Sequence, residues 1–208
     1  MDALAAVMFL GMVFLISMSG ALGPGPVLAA TISKGYDDGR SGLKIATGHM
    51  LIEVPLIVGI YFGLETVLRN ETLLLAIGLV GGAFLIYMGA DMVRSDKVGY
   101  SNGRRAGASA LTAGALTTAA NPYFFLWWAT VGATLITDAV EFGLIMLPIF
   151  AMVHLSVDYG WLQFVSFSVF RSKGLWSEKG HRILFIVSGA IMVIFGAYFL
   201  LSSLGSIL

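Results

Sequence analysis

The stretch "TGHMLIEVPL", Thr47 to Leu56, lies in an otherwise apolar run and sets a histidine and a glutamate four residues apart. That spacing puts His49 and Glu53 on one face of a helix, near enough to touch. A charge at the centre of a membrane helix costs roughly 2.5–3.5 kcal/mol on insertion scales, so residues that bear this cost face a bundle interior or a cavity. The pattern returns later in the chain. "GHMLIEV" (48–54) aligns with "VHLSVDY" (153–159), which pairs His49 with His154 and Glu53 with Asp158.

Two further matches run in the same order. "GGAFLIYMGA" (81–90) aligns with "SGAIMVIFGA" (188–197), each with two Gly-Ala pairs separated by five residues. "GALGPGP" (20–26) aligns more loosely with "GALTTAANP" (114–122). Together they indicate a duplicated three-helix unit, repeat one at about 1–95 and repeat two at about 105–208, within a single membrane domain over 1–208. An odd number of spans per unit turns the second copy upside down. This is the inverted-repeat plan of many secondary transporters, whose solute site forms between the repeats near mid-bilayer.

Composition agrees with a membrane location. The 208 residues are 58% hydrophobic and only 12% charged, against about 25% charged in soluble domains. With no cysteine, thiol chemistry and disulfides are excluded. The N-terminus, "MDALAAVMFL", is acidic rather than basic ahead of its apolar stretch, so a cleaved signal peptide is not expected.

Charged clusters divide the chain into six expected spans at roughly 3–30, 45–63, 73–93, 107–137, 143–169 and 183–205, each near the length that crosses a bilayer. Counted loop by loop, Lys and Arg number 3, 1, 4, 0 and 4. Eleven of the twelve therefore lie in odd-numbered loops, which the positive-inside rule assigns to the cytoplasm, with both termini outside.

The first span of each repeat carries a backbone breaker: Pro24-Gly25-Pro26 in one and Asn121-Pro122 in the other. Proline lacks the N–H and clashes with the carbonyl one turn back, so neither helix passes through uninterrupted. Carbonyls freed in this way are tolerated in a membrane only where they face protein or a watery cavity. A helix that restarts after the break also offers bare N–H groups suited to a carboxylate. Alternatively, Pro24 and Pro26 end a helix at the cytoplasmic surface. Trp127 and Trp128 follow the second break closely, so one of them is expected to wall the cavity, and Trp128 is included in the site. Gly82, Gly89, Gly189 and Gly196 recur at seven-residue spacing, a pattern of close helix packing rather than chemistry.

The segments "GPGPVLAATISKG" (23–35), "GLKIATGH" (42–49), "GGAFLIYMGADMVR" (81–94) and "NPYFFLWW" (121–128) resemble the LysE-type amino-acid exporters over nearly the whole chain. "GHMLIEVPL" and "VHLSVDYGW" look like features of a subgroup rather than the family's general pattern. The resemblance implies six helices and export of a small cationic or zwitterionic solute, coupled to the proton or sodium gradient. Families in the same superfamily are similar to metal-ion exporters.

The expected function is therefore a multi-pass exporter of the cell membrane that moves small amino acids by proton (or sodium) antiport. Glu53, Asp158, His49 and His154 would carry both solute binding and proton coupling, with Gly25 or Asn121 amides receiving the carboxylate. Ordinary pKa values of about 6.5 for histidine and about 4 for the carboxylates suit either pair to accept a proton. A self-satisfied pair that merely holds helices together remains the alternative at each position. A divalent-metal exporter is the second option, since the same four residues supply N and O ligands suited to transition metals. Enzyme activity is not expected: neither a "HExxH" motif nor a Gly-x-Ser-x-Gly elbow occurs. No cofactor and no nucleic acid is expected. The anticipated partners are an amino acid, protons or sodium, the lipid bilayer and, as one option, a second copy of the chain.

Overall fold

The computed structural model describes residues 3–23, 25–68, 70–94, 109–175 and 178–205. In chain order it forms α1 (Ala3–Ala21), α2 (Pro26–Asp37), α3 (Ser41–Tyr61), the short α4 (Glu65–Leu68), α5 (Glu71–Arg94) and α6 (Ala110–Ala119). Then follow α7 (Pro122–Trp127), a π-helical turn (Trp128–Gly132), α8 (Ala133–Glu141), α9 (Met146–Ser172), a 3-10 turn (Lys173–Leu175) and α10 (Glu178–Gly205). No strand occurs among the described residues. In lipid, every backbone polar group must be satisfied within its own segment, and helices do this.

Among the described residues, five stretches are long and apolar enough to cross a membrane: 3–21, 41–61, 71–91, 122–141 and 182–205. Their outer faces stay apolar, with Leu4 and Val7 on α1, Val80 and Tyr87 on α5, and Ile194 and Leu201 on α10 all exposed. Such faces suit lipid as the surrounding solvent. α9 is 27 residues long but falls outside that apolar set, because it carries His154, Asp158 and several serines.

Several expected boundaries move. The first span is broken into two helices, as its prolines led one to expect, but it runs to Asp37 rather than ending near residue 30, so α2 carries Lys34 and Asp37, which had been assigned to a loop. α3 starts at Ser41, so Lys44 is helical, and Asp138 and Glu141 lie on α8. Both breaks fall where the prolines are: Pro26 opens α2 and Pro122 opens α7. Pro24 lies outside the described residues.

Glycines let the helices approach closely. A methyl group at Gly48 would strike the Leu111 carbonyl, and one at Gly114 the Ile45 carbonyl, so α3 and α6 meet backbone to backbone. α5 and α10 cross in the same way at Gly82 and Gly196, where an added methyl would come within 2.7 Å of the opposite carbonyl. Small-residue contacts of this kind replace the hydrophobic driving force that is missing between helices in lipid. At the α3–α6 contact His49 follows Gly48 directly and faces the end of α6.

Candidate functional site

His49 and Glu53 project from α3, and His154 and Asp158 from α9, into one buried cluster. His49 Nε2 lies 3.1 Å from Glu53 Oε1, and His154 Nε2 lies 3.2 Å from the same oxygen. Trp128, fully buried at the start of the π-helical turn, donates its indole N–H to that oxygen at 3.2 Å. Three nitrogens thus converge on one carboxylate oxygen. Asp158 Oδ2 stands further off, 3.5 Å from His154 Nε2 and 3.9 Å from His49 Nε2.

The other nitrogen of each ring is held by a hydroxyl. His49 Nδ1 is 2.7 Å from Thr118 Oγ1, and His154 Nδ1 is 2.7 Å from Ser17 Oγ. Thr118 gives its own hydrogen to the Gly114 carbonyl at 2.8 Å. Its oxygen is therefore the acceptor, and the proton of that contact sits on His49 Nδ1. Two acceptors remain without a hydrogen bond although buried: Glu53 Oε2 and Asp158 Oδ2. Buried polar atoms are normally paired, so each unpaired one calls for an explanation.

The cluster opens into a cavity of about 150 Å³. Phe124, Trp127, Trp128 and Phe195 form much of its wall, and Ser17, His49, Glu53, His154 and Asp158 supply its polar part. Among the described residues, no lysine or arginine lines it. Gly25 and Pro26, the N-cap and first residue of α2, border the same cavity, and no side chain caps that helix start. Asn121 also borders the cavity, but its side chain accepts from the Tyr123 amide at 3.1 Å and so caps α7 itself. Pro122 does not line the cavity. It borders a separate groove with Leu126 and Tyr198.

Trp127 and Trp128, one of which was expected to wall the cavity, both line it, whereas Ser17, Thr118, Phe124 and Phe195 were not singled out from the sequence. Ser17 sits in an ordinary apolar helix, and no spacing rule marks it. Thr118 lies three residues before Asn121 of the Asn-Pro break, a position that would have justified attention. At the turn between α2 and α3, the Lys44 ammonium donates to Asp38 Oδ2 at 2.6 Å and the Arg40 amide donates to Oδ1 at 2.9 Å. These bonds hold Asp38 below the usual carboxylate range.

A helical membrane chain with ionisable side chains gathered around an internal cavity belongs to the class of membrane translocators. The LysE type translocator family matches residues 18–203, and the chain is a member of that family. Members are transporters, so the chain is a multi-pass membrane protein that moves a small solute. Comparison with curated proteins and with solved structures finds no match.

Proposed function

We propose that this translocator exports small amino acids or similar zwitterionic or cationic metabolites in exchange for protons. The observation that carries this is the pair of buried carboxylate oxygens without a hydrogen bond, Glu53 Oε2 and Asp158 Oδ2, in one cavity with the uncapped start of α2. An ammonium group has three donors and no acceptor, the complement of two orphaned acceptors. A carboxylate suits the α2 amides beyond Gly25 and Pro26, where the helix dipole favours negative charge. α7 is the poorer choice because Asn121 already caps it.

Proton exchange follows from hydrogen-bond bookkeeping. With the Nδ1 proton of His49 given to Thr118, the 3.1 Å contact between Nε2 and Glu53 Oε1 is attractive only with a second proton between them. Loss of that proton sets two lone pairs against each other. Solute binding at Oε2 and proton binding at the histidines on Oε1 thus draw on the charge of the same carboxylate, and competition of this kind underlies antiport.

The chain is read as two inverted three-helix units, with both termini outside. The Lys and Arg distribution supports the placement of the termini, and three features support the repeat: the break positions, the cross-facing His–acid pairs and the lengths of the elements. Pro26 to Pro122 is 96 residues, whereas His49 to His154 is 105. Eight of the nine extra residues lie in the helical stretch after Pro122, 20 residues against 12 in α2, and one lies in the following loop.

Divalent-metal export is less favoured. His49, Glu53 and Asp158 offer ligand atoms within 4.8 Å of one another, yet both Nε2 atoms are engaged by Glu53 Oε1 instead of converging on a shared vacant point. Inside-out vesicles loaded with a panel of amino acids and of divalent metals, under an imposed pH or sodium gradient, decide the matter. Movement of an amino acid driven by the pH gradient is expected. Metal movement without any amino-acid movement would overturn the proposal.

A further inference from the structure

We propose that Ser17 and Thr118 are the positioning residues of the two histidines, each tying the histidine of one half of the chain to the broken helix of the other. Ser17 lies on α1, one turn before the first break, and holds His154 of α9. Thr118 lies at the end of α6, just before the second break, and holds His49 of α3. The two bonds cross between the halves, and both hydroxyl residues are fully buried, so water does not substitute for either. An imidazole ring is rigid. Fixing Nδ1 therefore fixes where Nε2 points, and both Nε2 atoms point at one oxygen of Glu53.

The two hydroxyls differ in freedom. Thr118 is committed to the Gly114 carbonyl and only accepts from His49. His49 is thereby held with its proton on Nδ1. When either break moves relative to α3 or α9, a ring must turn with it or lose its hydroxyl. Ring orientation at the solute site is therefore tied to the geometry of the breaks.

This inference takes His49 and His154 as part of the solute site proposed above, and the test separates the two ideas. The full chain is labelled with 15N-histidine and reconstituted in lipid nanodiscs. Only three histidines are present, so the ring nitrogens are assigned by replacing each in turn. The wild-type chain should show His49 protonated at a hydrogen-bonded Nδ1. In Thr118→Val the signal should shift to the Nε2-protonated form, and in Thr118→Ser it should return. Ser17→Ala should change the His154 signals and leave His49 as it was. In vesicles, the maximal rate of pH-driven solute movement should fall about tenfold in Thr118→Val, the order expected for one lost buried hydrogen bond, and recover to within about twofold in Thr118→Ser.

Unchanged His49 signals in Thr118→Val overturn the proposal, as does a lost signal with unchanged transport. If the valine variant does not fold, Thr118→Ala is read in the same way. If amino acids are not the cargo, the NMR arm still decides, and failure of the substrate assignment is seen separately in the vesicles.

Discussion

Replacing Glu53 with glutamine removes the charge from the oxygen on which three N–H donors converge, and it leaves shape and volume nearly unchanged. Hydrogen bonds to a charged group contribute roughly 1.5–3 kcal/mol each and those to a neutral group roughly 0.5–1.5. The loss is then about 1 kcal/mol per bond, or about 3 kcal/mol over His49, His154 and Trp128. For a chain of this length a kilocalorie moves the melting temperature by roughly 2–4 °C, so a fall of about 6–12 °C is expected. Asp158→Asn should behave differently. Its Oδ2 lies 3.5 and 3.9 Å from the two imidazoles and makes no hydrogen bond. Melting should therefore hardly change, while the apparent KM for the solute rises. The assays are thermal unfolding of the purified protein in detergent and initial rates in inside-out vesicles. Equal melting losses in the two variants, or none in Glu53→Gln, would refute the convergence on Oε1. Full transport by the double variant would end the proposed role of both carboxylates.

Three other outcomes are expected. A methyl group at residue 132 would strike the indole of Trp128, so Gly132→Ala should displace that ring from Glu53 and cost roughly 1–3 kcal/mol as overpacking, read as a lower melting temperature and altered tryptophan fluorescence. Asp38 is held below its usual range by Lys44 and Arg40. Its contribution is full above the unfolded value and disappears as pH falls through the lower folded one. The pair is exposed and screened, so Lys44→Met should cost less than about 1 kcal/mol, and this difference should begin to shrink in acid melts below about pH 4 and be gone only below the lower folded value of Asp38. A transported amino acid at about one hundred times its Kd should stabilise the protein by about 2.7 kcal/mol, visible as a rise in melting temperature that Asp158→Asn abolishes.

Much of this was legible in the sequence because lipid allows few solutions. Charged residues mark where helices end, and Pro26 and Pro122 fix where two of them restart. The seven-residue glycine spacing of α5 and α10 gives their crossing. His49, Glu53, His154 and Asp158 stood out because ionisable groups are costly in apolar runs. Helix ends were less legible: α2 runs on past Lys34 and α8 past Asp138, since polar side chains at a membrane surface do not stop a helix. The hydroxyls that orient the rings were hidden for a related reason. Serine and threonine satisfy themselves on a carbonyl one turn back, as Thr31, Thr117 and Thr130 do here, so their presence in a helix carries little information. The π-helical turn left no sequence signal either. It follows from fitting Trp128 into the cluster over Gly132.

The cluster is only half satisfied, and that is the physical reason to treat it as a solute site rather than as helix glue. A network built to hold α3 against α9 would pair every buried atom, since a partly satisfied buried network is worse than an apolar contact of the same shape. Here Oε1 of Glu53 is crowded with donors while Oε2 of the same carboxylate and Oδ2 of Asp158 have none. Each unmet acceptor costs roughly 1–3 kcal/mol. That free energy is recovered only when donors arrive, and a solute bearing an ammonium group brings three. The same imbalance gives the site its direction of selectivity. A molecule with no donor gains nothing at these oxygens, and an anion is repelled from them. In the proposed reading Glu53 is divided between two tasks, with one oxygen fixed by the protein and the other left for the solute. Because a single carboxylate carries both, any change in the donors on Oε1 alters the charge available at Oε2, which links ring orientation and proton occupancy on one side to solute affinity on the other.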